Sequence, residues 1–105
     1  MKIVGISACT SGIAHTYIAK EKLIKAGTEA GHQVRIETQG TIGIEDELTV
    51  QEIKEADLVI IAADIKISGR ERFKGKKVVE IPTNLAIKAP KQLYKKLESE
   101  LQRGV

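Results

Sequence analysis

KIVGISACTSGIAHTY, residues Lys2–Tyr17, changes character twice along its length. Lys2–Ser7 is short, rich in β-branched residues and followed by small ones, the pattern of a buried strand. Small hydroxyl and glycine residues come next. From Ala14 to Ala30 a helical spacing takes over, carried by Ile13, Tyr17, Ile18, Leu23, Ile24 and Ala30. Gly27 weakens that helix and Gly31 ends it. Strand, small-residue loop and helix in this order form the opening unit of a parallel α/β sheet.

The rest of the chain repeats the unit. QVRIET (Gln33–Thr38) alternates as a second strand, and the glycine-bearing acidic stretch QGTIGIEDEL reads as a loop. TVQE (Thr49–Glu52) has capping-box spacing and opens a short helix to about Ala56. DLVIIAAD (Asp57–Asp64) is a continuous apolar run bounded by aspartates, as suits a central strand covered on both faces. A short helix is expected around Gly69–Phe73. KKVVEIP (Lys76–Pro82) is a fourth strand, and Leu93, Leu97 and Leu101 repeat along a C-terminal helix that starts at Pro90. The expected fold is one domain, residues 1–105. It is a three-layer, Rossmann-like α/β sandwich around a four-stranded parallel sheet of order 2-1-3-4. Ligands of such sheets bind beyond the carboxyl ends of the strands, where the strand order reverses. That point is the end of the first strand, at Cys9.

Composition narrows the function. A chain of 105 residues builds one modest core. Tyr17, Phe73 and Tyr94 are its only aromatic rings, too few for a platform that stacks nucleic-acid bases. No apolar run approaches the ~20 residues that span a bilayer, and the N-terminus lacks a signal-peptide pattern, so a cytoplasmic location is expected. A single cysteine makes no internal disulfide and cannot build a multi-cysteine zinc site, and neither metal nor cofactor is expected. Residues 1–65 hold six Lys/Arg against ten Asp/Glu, whereas residues 66–105 hold eleven against four. The basic half either decorates solvated helix faces or attracts an acidic or phosphorylated partner protein. Arg70, Arg72 and Lys74 are candidates for such docking. The basic residues form no dense block, which disfavours nucleic acid.

Cys9 sits among Thr10, Ser11 and Gly12, with His15 close behind. Backbone N–H groups of a strand-to-helix loop, together with the positive end of the helix dipole, suit a small volume to an anion. Thr10, Ser11 and Thr16 add hydroxyl donors, and Gly12 lets the backbone turn closely. The same field favours thiolate over thiol. A thiolate inside a phosphate-sized nest is set up to attack phosphorus and form phosphocysteine. Packing is the bland alternative for Cys9. His15 either assists the phosphoryl group or thiolate, or caps the helix and packs. His32, after Gly31 in a turn, is expected in solvent. Two enzyme chemistries start from this loop. A small cysteine-dependent phosphatase clamps phosphate with an arginine six residues after the cysteine, but here that residue is His15 and the loop has no arginine. Transfer is favoured over hydrolysis. A non-catalytic regulatory module on the same fold is the third reading.

The segments ACTSGIAHTY, VRIETQGTIGIEDELT, EADLVIIAADI and RFKGKKV, in this order, resemble the fructose-family enzyme IIB of the bacterial phosphotransferase system. The resemblance covers nearly the whole chain apart from its C-terminal helix. It implies a cytoplasmic phosphocarrier whose cysteine takes a phosphoryl group from phosphohistidine on enzyme IIA. The group then passes to a sugar, fructose or one like it, bound in the membrane permease enzyme IIC. On that match Cys9 is the phosphorylated residue, and Thr10, Ser11, Gly12, Ile13, Ala14, His15 and Thr16 form the phosphate loop. Thr38, Gln39 and Asp64 lie on the same rim, where they contact the loop or a partner, or else serve as turn and strand-end residues. The family usually reads cysteine-proline-threonine-glycine. Here Thr10 and Ser11 follow the cysteine, which removes a fixed φ angle and restores one backbone donor.

Overall fold

The computed structural model describes residues 1–9, 13–40 and 43–102, with the side chains of residues 13, 14 and 100–102 excepted. The elements run β1 (Lys2–Ala8), α1 (Ile13–Glu29), β2 (Gln33–Gly40), β3 (Gly43–Glu45), α2 (Val50–Glu55), β4 (Leu58–Ala63), a 3₁₀ turn (Arg70–Phe73), β5 (Val78–Ile81), α3 (Thr83–Lys88) and α4 (Pro90–Gln102). The sheet order is β3-β2-β1-β4-β5. Its four parallel strands stand in the expected order. Among the described residues the sheet has five strands, not the expected four, and is mixed rather than all parallel, because β3 pairs antiparallel to β2 through Thr38↔Glu45, Gln39↔Ile44 and Gly40↔Gly43. All three β3 residues are exposed, so the segment carries no burial pattern from which a strand could be read.

Alternation along the strands builds the two outer layers. Ile3, Ile36, Leu58, Ile60 and Ala62 face Ala19, Leu23 and Ala26 of α1, Ala86 of α3, and Leu93, Tyr94 and Leu97 of α4. Val4, Ile6, Ala8, Val59 and Ile61 face the opposite way, against Leu48, Ile53, Ile67 and Phe73. The apolar run of β4 feeds both layers at once, which is why it shows no alternation in sequence. At Gly5 the neighbouring strand comes so close that an added Cβ would lie 2.3 Å from the Ile60 carbonyl oxygen.

The predicted boundaries hold at the helix ends. Thr49 caps α2 with a complete capping box, and Lys76 Nζ closes its other end by donating to Lys54 O and Ala56 O at 2.8 and 2.9 Å. Gly31, at φ 88°, turns the chain out of α1. His32 corrects the sequence reading, since its side chain is only 9% exposed. The turn places its ring 5.9 Å from that of Tyr94, with Nδ1 3.1 Å from the N-terminal amine. The α3 helix, which periodicity does not reveal, carries the chain from β5 back across the α1 side and puts Thr83 at the sheet's carboxyl rim.

Candidate functional site

The carboxyl ends of β1, β4 and β5 meet at one point. Asp64 N–H donates to Ala8 O at 3.0 Å, locking the end of β4 to the residue before Cys9. Ser7 Oγ donates to Thr16 O at 2.8 Å, which ties the same end of β1 to the first turn of α1. Cys9 is left just past the strand, 4% exposed. Its thiol donates to Asp64 Oδ2 at 3.2 Å, and His15 Nδ1 lies 3.1 Å from the same sulfur. Thr83 completes the group. Its hydroxyl donates to Asp64 Oδ2 at 2.5 Å and its amide to Oδ1 at 3.1 Å, so both carboxylate oxygens are fixed by one residue. Thr83 Oγ1 is also 3.5 Å from His15 Nδ1 and 3.9 Å from Cys9 Sγ.

Charge follows from these contacts. The Thr83 hydroxyl and amide hold the Asp64 carboxyl below the usual aspartate range against the opposing effect of burial, with Cys9 and His15 adding to the downward shift. Asp64 is therefore ionised at neutral pH. Its negative charge stands 3.2 Å from the Cys9 sulfur and within 4.8 Å of a His15 ring nitrogen. The cysteine proton has a nearby nitrogen to move to, and the resulting imidazolium has a carboxylate beside it. That arrangement activates a thiol as a nucleophile.

Of the residues singled out by sequence, Cys9, His15 and Asp64 are brought together. Thr16 is buried in the first turn of α1, 3% exposed, with its carbonyl facing Ser7. Thr10, Ser11 and Gly12 lie outside the described residues, as do the side chains of Ile13 and Ala14. Thr38 and Gln39 are buried at 3% and 7% exposure. Gln39 is occupied internally. Its side-chain amide donates to Ser68 O at 2.9 Å and accepts from Ser68 N–H at 2.8 Å, clamping the segment that follows Asp64. Its NH₂ also donates to Glu37 Oε2 at 2.8 Å. Glu37, absent from the sequence-derived site, is fully buried and receives both guanidinium prongs of Arg72, at 2.8 and 3.0 Å. Glu37 and Gln39 thus secure the 64–73 segment through Arg72 and Ser68. Arg72 is spent on that pairing, while Arg70 pairs with Glu80 on the surface. An open groove of about 670 Å³ leads along Ile65, Lys66, Arg70 and Pro82 to Asp64. Among the described residues, no helix is long and apolar enough to cross a membrane.

Known proteins resemble this chain in sequence and architecture. A family model described as the PTS system, lactose/cellobiose-specific IIB subunit, matches residues 4–96. The PTS system fructose-like EIIB component 2 of Escherichia coli K12 is 44% identical over 100 residues, covering 95% of this chain and 94% of the relative. The PTS system fructose-specific EIIABC component of Bacillus subtilis is 42% identical over 95 residues, 90% of this chain but 15% of that longer protein. The solution structure of the enzyme IIB subunit of the PTS system from E. coli K12 superposes with a TM-score of 0.92 at 38% identity, covering 98% of this chain and 95% of that one.

Proposed function

The chain belongs to the enzyme IIB family of the phosphotransferase system, and from that premise we propose that it carries a phosphoryl group on Cys9 between two partner components. Enzymes IIB are phosphotransferases, and relatives of this chain are fused to further components of the same system. The donor in this reading is a phosphohistidine on enzyme IIA, and the acceptor is a fructose-like sugar held by the membrane component enzyme IIC. The name of the fructose-like relative motivates that sugar class. Encounter with the membrane comes through enzyme IIC.

The observation that carries the proposal is the convergence of His15 and Asp64 on the chain's only thiol. The Cys9 proton moves to His15 and the thiolate attacks phosphorus. The N–P bond breaks, its electron pair stays on the donor imidazole, and that ring regains the proton the thiol gave up. In the onward step the sugar hydroxyl attacks phosphorus, the S–P bond breaks, and the hydroxyl proton returns to sulfur. Hydrolysis is a poor competitor, because no arginine lies between Cys9 and Thr16 to clamp phosphate for water. The test is the intact mass after incubation with phosphoenolpyruvate, the general phosphotransferase proteins and fructose-type enzymes IIA supplied one at a time. Gain of one phosphoryl group is expected, and no gain with any donor overturns the reading.

Asp64 is assigned a second task in this cycle. A phosphoryl dianion on Cys9 stands against an ionised carboxylate fixed by Thr83, and like charges at this range repel. The phosphocysteine is thereby kept ready to leave. Asp64→Asn keeps the side chain's shape and an acceptor for the Thr83 amide and removes the charge, while its NH₂ donates towards the Thr83 hydroxyl and the sulfur, from which the carboxylate accepts. Its phosphocysteine is expected to persist about tenfold longer in the presence of enzyme IIC and sugar, a loss of roughly 1.4 kcal/mol of repulsion. Pulse-chase of the labelled protein checks this, and an unchanged or shorter lifetime counts against the repulsion.

A further inference from the structure

The side chains that surround the Cys9 sulfur are also a metal-ligand set. We propose that Cys9, His15 and Asp64 form a mixed-ligand zinc site, and that zinc bound there blocks phosphorylation of the same sulfur. One donor atom from each residue lies within 4.8 Å of the other two. Two edges of that triangle are short, 3.1 Å from sulfur to His15 Nδ1 and 3.2 Å from sulfur to Asp64 Oδ2. Tetrahedral zinc, with bonds of about 2.0–2.3 Å, holds such donors roughly 3.3–3.6 Å apart. Insertion of the ion therefore asks these edges to open by only a few tenths of an ångström.

Chemistry selects the ion. One thiolate, one imidazole and one carboxylate are a borderline-soft S, N, O set, which suits zinc and does not suit magnesium or calcium. Thiolate and carboxylate together offset the dication's charge. Three protein ligands leave the fourth tetrahedral position to water, the open type of zinc site. The ligands come from the end of β1, the first turn of α1 and the end of β4, so the folded chain supplies them already assembled. Thr83 fixes the carboxylate through both oxygens, the role that outer hydrogen-bond partners play around zinc ligands. Asp64 is exposed, which gives the ion a way in. On binding, the Cys9 thiol releases its proton to solvent and forms an S–Zn bond, so the sulfur lone pair needed to attack phosphorus is occupied. Conversely, a phosphorylated sulfur is no longer available as a thiolate ligand.

The experiment uses the intact chain with cobalt chloride as a spectroscopic probe, followed by zinc chloride. Uptake of one ion with a thiolate-to-cobalt charge-transfer band is expected, the band disappearing on titration with zinc. Cys9→Ser should abolish the band, and His15→Ala and Asp64→Asn should each weaken zinc binding by about 100-fold or more. Thr83→Val should weaken it by about tenfold, as loss of an outer partner does. His32→Asn should leave binding unchanged. No uptake at micromolar metal, or uptake that survives Cys9→Ser or disappears in His32→Asn, overturns the proposal. These readouts need no phosphodonor, so a failure of phosphoryl carriage would leave them intact. In the phosphorylation assay, one equivalent of zinc should stop labelling, and a chelator should restore it.

Discussion

Cys9→Ser is expected to lower phosphoryl acceptance by about three orders of magnitude or more, as removal of a nucleophile does elsewhere, while the domain stays folded. The two halves of that expectation have separate causes. Serine fits the 4%-exposed site, and its hydroxyl can donate to Asp64 Oδ2 as the thiol does. Stability should change by no more than about 1 kcal/mol. Reactivity should collapse because an alcohol next to His15 is a far weaker nucleophile than a thiolate. Cys9→Ala sharpens the test by removing the hydrogen bond together with the nucleophile. If Cys9→Ser and Cys9→Ala are equally inactive and equally folded by circular dichroism, the sulfur itself carries the group. A serine variant labelled at the wild-type rate would move the acceptor to another residue and sink the mechanism.

The parallel part of the sheet was legible because its strands are bounded by turn residues and feed a core on both faces. Asp57–Asp64 is the clearest case, since continuous burial leaves a continuous apolar run. The position of Cys9 was legible for a topological reason, its place after the first strand of a sheet whose order reverses there. What escaped did so because the cause lies elsewhere in the chain. Thr83 follows Pro82 at the end of a strand, and its significance appears only when parallel strands bring their carboxyl ends to one rim. The rule used to place Cys9 could have found it. Glu37 alternates with Val34 and Ile36 as a solvent-facing residue should, yet Arg72 covers it from a segment far along the chain. Gly27 reads as a weak point in α1. In the fold, an added Cβ there would lie 2.8–2.9 Å from atoms of the Tyr94 side chain, so the glycine makes room for a ring from α4. The burial of His32 is hidden from the sequence for the same reason, because its cover comes from Tyr94 and Glu98.

Breaking the Glu37–Arg72 pair is expected to cost about 3–5 kcal/mol, a large share of the ~5–15 kcal/mol that holds a small domain together. Glu37 is fully buried while Arg72 keeps 23% of its side chain exposed, so the two truncations are not equivalent. Arg72→Ala strands a carboxylate in the interior, whereas Glu37→Gln leaves a guanidinium that can turn towards water. The arginine variant should therefore be the less stable of the two in urea denaturation. Acid separates them further. Burial pushes the Glu37 carboxyl upward, but the Arg72 guanidinium, the Gln39 amide and the Leu48 N–H together hold it below the ordinary glutamate range. A folded-state value below the unfolded one makes this contribution fully present above the unfolded glutamate value of about 4.3, and it is lost as pH falls through the folded value. In Arg72→Ala the principal counter-charge is gone and burial should dominate, raising the folded-state value above the unfolded one. Protonation then relieves the stranded charge, so the deficit of Arg72→Ala relative to wild type should shrink as pH falls from 7 to 4. For Glu37→Gln that deficit should also narrow, but only at lower pH, where wild-type Glu37 itself takes up its proton. A deficit for Arg72→Ala that stays constant from neutral pH down to 4 would mean that the guanidinium is not what keeps Glu37 ionised. Function should follow stability here, because Ser68 is held by Gln39 and Gln39 by Glu37. Loosening that chain frees the segment directly after Asp64, and phosphoryl acceptance by the surviving folded fraction should fall with it.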